Sequence, residues 1–165
     1  MTPRPRIVIC AALDLDQVAG ALAPTVVVSL LPDADADRLA MAWEARRLAL
    51  AIPDRNGQGD APWAIDAARR LLALGASLSS DDRVLVHCVA GVSRSPAAAL
   101  LLDLGWCVAQ GFPVDDALVA GAVDRLRAIR PTSYPNGSLL DAADSLLRAQ
   151  GTVARARQAF SQIRW

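Results

Sequence analysis

From one end of the chain to the other, short apolar runs alternate with longer segments whose apolar residues recur at helical spacing. "RIVIC", Arg6 to Cys10, reads as a buried strand, and "DLDQVAGAL" after it as a short helix. "TVVVSLL", Thr25 to Leu31, is a second strand rich in β-branched residues. In "DADRLAMAWEARR", Asp35 to Arg47, the residues Leu39, Ala42 and Trp43 share one helix face, and "LALAI", Leu48 to Ile52, follows as a third strand. Two prolines and two glycines then punctuate "PDRNGQGDAP" as a loop. A helix is predicted to start at Pro62, with Asp60 nearby as a capping acid, and to run through "WAIDAARRLLALGASL". "DDRVLVH" is a strand leaving a turn.

Beyond that strand the pattern turns helical. The segment from Arg94 to about Val108 carries Pro96 in its first turn, where a missing amide hydrogen costs little. "PVDDALVAGAVDRLRAIRP", Pro113 to Pro131, is a further helix stopped by its terminal proline. "GSLLDAADSLLRAQG", Gly137 to Gly151, is another, with Ser138 near its start and a glycine closing it. "TVARARQAFSQIRW" is also helical in pattern. Strands alternating with helices at these lengths predict an α/β fold with a short, mainly parallel central sheet flanked by helices on both faces.

Composition narrows the choice. With 165 residues, 53% of them hydrophobic and 21% charged, the chain suffices for one core and falls short of two ordinary domains, so residues 1–165 are read as a single domain. Its 17 basic and 17 acidic residues cancel, which removes any general attraction to nucleic acid or an anionic membrane. An anion must therefore be met locally. Every basic residue is arginine and alanine is abundant, a bias that suits a GC-rich bacterial coding sequence. The 3 cysteines, Cys10, Cys88 and Cys107, have no disulfide-framework spacing, which fits a reducing cytoplasm. The apolar run near the start is short and ends at Asp14 and Asp16, so it reads as a strand and not as a signal peptide. No run approaches the roughly 18 apolar residues of a membrane span.

The stretch "VLVHCVAGVSRSP" carries the chemistry. A loop that leaves a parallel strand and feeds a helix N-terminus presents several unpaired backbone N–H groups to one small volume, and such a volume binds anions. Cys88 stands at the strand end and Arg94 at the helix start, with Gly91 between them letting the backbone bend inward. Amides, helix dipole and guanidinium all favour the thiolate over the thiol. Lowering the thiol pKa by about three units would correspond to roughly 4 kcal/mol of preferential stabilisation. The same donors receive a phosphate, two of whose oxygens match the planar fork of Arg94. Attack of sulfur on phosphorus expels an alcohol or phenol oxygen, which needs a proton. Asp54 in "LALAIPDRNGQG" is the first candidate acid, since it follows a predicted strand on a glycine-bearing loop at the same sheet edge. Asp60 is the alternative, with helix capping as its more ordinary role.

"HCVAGVSRS", His87 to Ser95, resembles the signature of the cysteine-dependent protein tyrosine phosphatases, and its "AGVSRS" wording is similar to the dual-specificity branch. "VVVSLL", "IPDRNG" and "RLRAIRPTSYPNGSLL" resemble the family's strand before the first crossover, its acid loop and the Arg-Pro then Pro-Asn segment opening its late helix. The resemblance implies a phosphocysteine intermediate on Cys88, Arg94 gripping the phosphoryl group, Ser95 hydrogen-bonding the sulfur as it leaves, and Asp54 serving as acid and then as base. It implies that His87 tunes the thiol and braces the loop, that Asn136 supports the loop from behind, and that the amides of Val89, Ala90, Gly91, Val92 and Ser93 complete the cradle. No metal or organic cofactor is implied. The glutamine-rich segment and tyrosine-bearing pocket rim of classical tyrosine-specific members are missing, Tyr134 lying instead in the late loop, so a shallow, less selective pocket is expected. The cradle also lacks the lysines typical of phosphoinositide phosphatases.

More ordinary readings stand beside these. Ser95 can cap its helix, Asp54 and Asn136 can be turn residues, and His87 can be a satisfied core histidine. Cys10 and Cys107 are expected in the core, with a protective disulfide to Cys88 an open question. Trp43, Trp63, Trp106 and Trp165 are expected to pack, Trp63 near enough to the acid loop to shape a pocket mouth. The expected activity is phosphomonoester hydrolysis, on phosphotyrosine in proteins with phosphoserine or phosphothreonine as further substrates. Two other classes remain open: a phosphate-binding module that recognises phosphorylated partners without turnover, and a related cysteine-loop arsenate reductase or sulfur transferase.

Overall fold

The computed structural model describes residues 3–32 and 44–160. Four strands, β1 (Arg6–Ala11), β2 (Val26–Leu31), β3 (Arg46–Ala51) and β4 (Arg83–Cys88), form one sheet in the order β1-β4-β2-β3. All three pairings are parallel. Successive parallel strands of a sheet need a crossover connection; α1 (Leu15–Leu22) lies in the connection from β1 to β2 and α2 (Pro62–Ala76) in that from β3 to β4, two pairs that are not adjacent in the sheet. Helices α3 (Arg94–Ala109), α4 (Asp116–Ile129), α5 (Gly137–Leu147) and the short α6 (Thr152–Arg155) come after β4, followed by a 3₁₀ turn at Ala156–Phe160.

The period-2 alternation of the strands sorts their side chains onto two faces. Val26, Val28, Leu30, Val84, Val86 and Cys88 enter the larger core beneath α2 to α5, whereas Cys10, Val27 and Leu85 meet Leu15, Ala19 and Leu22 of α1 on the other side. Both faces are covered, as expected for strands that are apolar at nearly every position. Helix α3 is buried along almost its whole length, so it is apolar all round instead of carrying one stripe. It crosses α2 at close range through a pair of glycines. A Cβ on Gly75 would stand 2.3 Å from the Leu102 carbonyl oxygen, and one on Gly105 would stand 2.3 Å from that of Leu72.

Several boundaries differ from the sequence reading. Arg46 and Arg47 belong to β3 and not to the end of a helix, because the Arg46 N–H donates to the Thr25 carbonyl at 2.9 Å and the ladder with β2 begins there. Two exposed arginines suit an edge strand as well as a helix end, and pairing with β2 decides between them. Glu44 and Ala45 are not helical either, and residues 35–43 of that expected helix, with Leu39, Ala42 and Trp43, lie outside the described residues, as does Trp165. Helix α4 starts at Asp116 in place of Pro113, since the Asp115 carboxylate caps it by accepting from the Leu118 N–H at 2.8 Å. Helix α5 ends earlier than Gly151: Arg148 adopts the left-handed conformation at φ +53°, and Gly151, at φ +88°, opens α6 instead. Among the described residues after Gly151, which run to Phe160, there is one short helix and the 3₁₀ turn. Asp60 does not cap α2, whose N-cap is Ala61, without a side-chain hydrogen bond. With Pro62 in the first turn, one of the donors a cap would serve is already missing.

Candidate active site

The C-terminal ends of β1, β3 and β4 lie at one sheet edge, and the loop from Cys88 to Arg94 is built there. It leaves β4, curls beneath the end of β1 and enters α3. Ala12 N–H donates to the Val89 carbonyl at 3.1 Å, which pins the start of the loop to the end of β1. Gly91 then passes so close to that strand that a Cβ would meet the carbonyl carbon and oxygen of Cys10 at 2.9 Å, and its φ is +70°. Glycine is needed on both counts.

Cys88 is buried at the strand end, and its Sγ lies within 3.2 Å of two donors, the Gly91 N–H and the Ser95 hydroxyl. Burial alone pushes a thiol up. Here it is outweighed by the Ser95 hydroxyl, the backbone N–H groups of Ser95 and Gly91 and the charge of Arg94, which together hold Cys88 below the ordinary thiol value. Ser95 is thus on the sulfur and not simply a helix cap. The N-cap position belongs to Ser93.

Arg94 is buried to 5% exposure, an expensive place for a charge without partners. Nη1 donates to the Ile52 carbonyl at 3.1 Å, and Nη2 sits 3.8 Å from Asp54 Oδ2. Its Nε has no hydrogen-bond partner among the described residues. One arm of the guanidinium is therefore anchored to the end of β3, while Nε and Nη2 keep the geometry of a fork for two oxygens of a tetrahedral anion.

Asp54 is brought to the same place by the loop after β3. It is half exposed, and its Oδ1 accepts from the Ser93 hydroxyl at 3.0 Å. Behind it the loop is docked on the start of α5: the Arg55 carbonyl accepts from Asn136 Nδ2 and from Ser138 Oγ, each at 2.9 Å, Asn56 Oδ1 accepts from the Gly137 N–H at 2.7 Å, and the Gln58 N–H donates to Ser138 Oγ at 3.1 Å. Asn136 also donates its backbone N–H to the Ser93 carbonyl at 3.1 Å and caps α5 by accepting from the Leu139 N–H. One buried residue thus braces both loops, its side chain holding the acid loop and its backbone N–H the Cys88 loop, in addition to its cap role. Tyr134, exposed in the late loop, donates its backbone N–H to the Val92 carbonyl at 2.8 Å. Trp63 packs partly buried with its indole N–H 3.4 Å from Gln58 Oε1, and Trp106 is buried under the Arg4 guanidinium.

His87 is fully buried, its Nε2 2.6 Å from the Ser29 hydroxyl on β2, and burial lowers its pKa to about 4. The ring is neutral across the neutral range and stands in the sheet as a strand-to-strand tie. Ser29, a polar residue in an otherwise apolar strand, is a partner that sequence reasoning passed over. So is Arg130, whose Nη2 lies 3.5 Å from the Ala90 carbonyl.

The other two cysteines are both buried. Cys10 faces His87 across the β1/β4 ladder while Cys88 faces Ala11, so their side chains leave opposite faces of the sheet, an arrangement that no disulfide spans without backbone movement. Burial, with Asp14 and Cys88 adding to it, pushes the Cys10 thiol up to about 11. Cys107 lies near the far end of α3, about 20 Å along the helix from its start. Among the described residues no three His, Cys, Asp or Glu side chains are grouped so as to hold a metal ion, and no helix is long and apolar enough to cross a membrane.

No family model and no curated protein matches the chain. Solved structures do. Human DUSP28 superimposes with a TM-score of 0.61 at 15% identity, over 97% of this chain and 96% of that one. Cydia pomonella PTP-2 phosphatase gives 0.60 at 17% identity, over 85% and 84%. OH1 from the Orf virus, described as a tyrosine phosphatase with triple substrate specificity, gives 0.57 at 16% identity, over 97% and 85%. At such identities the likeness is one of fold. The chain has the fold of the protein tyrosine phosphatases, the one these solved structures share.

Proposed function

We propose that the protein hydrolyses phosphomonoesters through a phosphocysteine intermediate on Cys88, with phosphotyrosine in proteins as the leading substrate class and phosphoserine or phosphothreonine as further substrates. The observation that carries the reading is the convergence at one sheet edge of a thiol held below its ordinary pKa, a buried guanidinium whose Nε has no partner among the described residues, and a carboxyl 3.8 Å from that guanidinium. In the first step the Cys88 sulfur attacks phosphorus and the P–O bond of the ester breaks, while the proton of Asp54 passes to the departing oxygen. In the second, the Asp54 carboxylate takes a proton from water as the water oxygen attacks phosphorus. The P–S bond then breaks, and the Ser95 hydroxyl 3.2 Å from Sγ donates to the sulfur as it regains its negative charge. Arg94 and the loop amides hold the equatorial oxygens throughout.

The acid is tested by leaving groups. Asp54→Asn is expected to lower kcat/KM about 10²-fold on phenyl phosphate, whose basic phenoxide oxygen needs a proton, and far less on 2,4-dinitrophenyl phosphate, whose weakly basic oxygen does not. Retention of full activity on the poor leaving group would move the acid elsewhere. A wild-type protein that bound vanadate yet released no phosphate from either ester would instead favour a module that reads phosphorylated partners. Thiol-dependent reduction of arsenate, or sulfur transfer from thiosulfate, would favour the other cysteine-loop chemistries.

A further inference from the structure

Ser93 occupies the N-cap of α3, the position where a serine ordinarily turns its hydroxyl back to accept from an N–H of the first helical turn. It makes no such bond. Its Oγ donates to Asp54 Oδ1 at 3.0 Å across the gap between the two loops. Two consequences follow from that exchange. The N–H groups opening α3 stay available to an anion, and an otherwise half-exposed carboxyl on a glycine-bearing loop gains a fixed orientation.

The orientation is chemically specific. In a protonated carboxyl the carbonyl oxygen is the strong acceptor and the hydroxyl oxygen the donor. An O–H that points at Oδ1 therefore makes Oδ1 the carbonyl oxygen and leaves the proton on Oδ2. Oδ2 is the oxygen that lies 3.8 Å from Arg94 Nη2, on the side where the guanidinium would hold a phosphoryl group.

We propose that the Ser93 hydroxyl is a positioning residue for Asp54, selecting Oδ2 as the atom that carries the proton and aiming it at the departing ester oxygen. The inference rests on the reading of Asp54 as general acid. When the S–P bond forms and the P–O bond breaks, the Oδ2 proton goes to the ester oxygen, and the carboxylate that remains keeps its hydrogen bond from Ser93, ready for the second step. The main chain of the same residue reinforces the geometry, because the Ser93 carbonyl accepts from the Asn136 N–H while Asn136 Nδ2 holds the Arg55 carbonyl of the acid loop.

The test compares kcat/KM on phenyl phosphate and on 2,4-dinitrophenyl phosphate for the wild type, Ser93→Ala and Ser93→Thr. Ser93→Ala is expected to lower the ratio of the two about 10-fold, a fraction of what an entire general acid contributes. Ser93→Thr, which keeps a hydroxyl, is expected to restore the ratio, and Ser93→Ala in an Asp54→Asn background to leave it unchanged. An equal loss on both esters would assign Ser93 a merely structural role and overturn the inference while leaving the role of Asp54 intact. An unchanged ratio, or a further fall in the Asp54→Asn background, would overturn it as well. A wild-type protein that turned over neither ester would overturn the phosphatase reading and this inference together.

Discussion

Replacing Cys88 with serine is expected to remove phosphate-ester turnover, by at least about 10⁴-fold, while leaving the affinity for vanadate or inorganic phosphate within a few-fold of the wild type. The asymmetry follows from where the donors come from. The loop amides and Arg94 that would hold an oxyanion belong to the β4–α3 turn, whose shape is set by Gly91 lying against the Cys10 carbonyl and by the Val89 carbonyl bonded to Ala12. None of that depends on sulfur. A serine hydroxyl in the same position has a pKa far above neutrality, so hydrogen bonds from Gly91 and Ser95 that suffice to lower a thiol leave it protonated. Single-turnover phosphate release together with equilibrium binding of vanadate measures both halves. Residual turnover above the buffer rate, abolished by no other single change at the site, would show that another group is the nucleophile.

Arg94→Lys is expected to cost about 10³-fold in kcat/KM, or about 4 kcal/mol of transition-state stabilisation. The charge is conserved and the geometry is lost. The guanidinium spends Nη1 on the Ile52 carbonyl and still has Nε and Nη2 in one plane, whereas an ammonium on a flexible four-carbon stem offers a point charge with no fork. The tie to the end of β3 is weakened as well, and with it the spacing between Asp54 and the loop. Vanadate binding should weaken together with kcat/KM, which separates this variant from Cys88→Ser. A lysine variant within about tenfold of the wild type would mean that the fork does not grip the transferring group.

Much of this was legible in the chain itself, for identifiable reasons. The four strands stand out because each is built on a short, mainly apolar run, and the parallel sheet follows from the helices between them. Cys88, Gly91, Arg94 and Ser95 are legible because the loop's chemistry is local: nine consecutive residues hold nucleophile, bend, cation and sulfur donor. Asp54 was reachable through topology, since a loop after a parallel strand must reach the same edge. What is held by long-range contact was not legible. Nothing near Ser138 or Asn56 announces that they clamp the acid loop across 80 or more residues, and the two roles of Asn136 emerge only when both loops are in place. Ser29 did carry a signal: one hydroxyl in a strand of aliphatic residues implies a buried partner, and that partner is His87. The misplaced helix ends at Asp115 and Arg148, and the cap wrongly given to Asp60 at a helix start that was itself right, arise where an acid or a left-handed residue near a boundary admits more than one cap, and packing chooses.

The rate of Cys88 alkylation by iodoacetate as a function of pH, read by mass spectrometry with and without inorganic phosphate, bears most directly on the site. Donors that favour the anion predict a half-rise below the ordinary thiol value, with the thiolate persisting above that point and lost as pH falls through it, and phosphate is expected to slow the reaction by competing for the same amides and guanidinium. A half-rise at the ordinary thiol value, with a rate indifferent to phosphate, would contradict the account at its root.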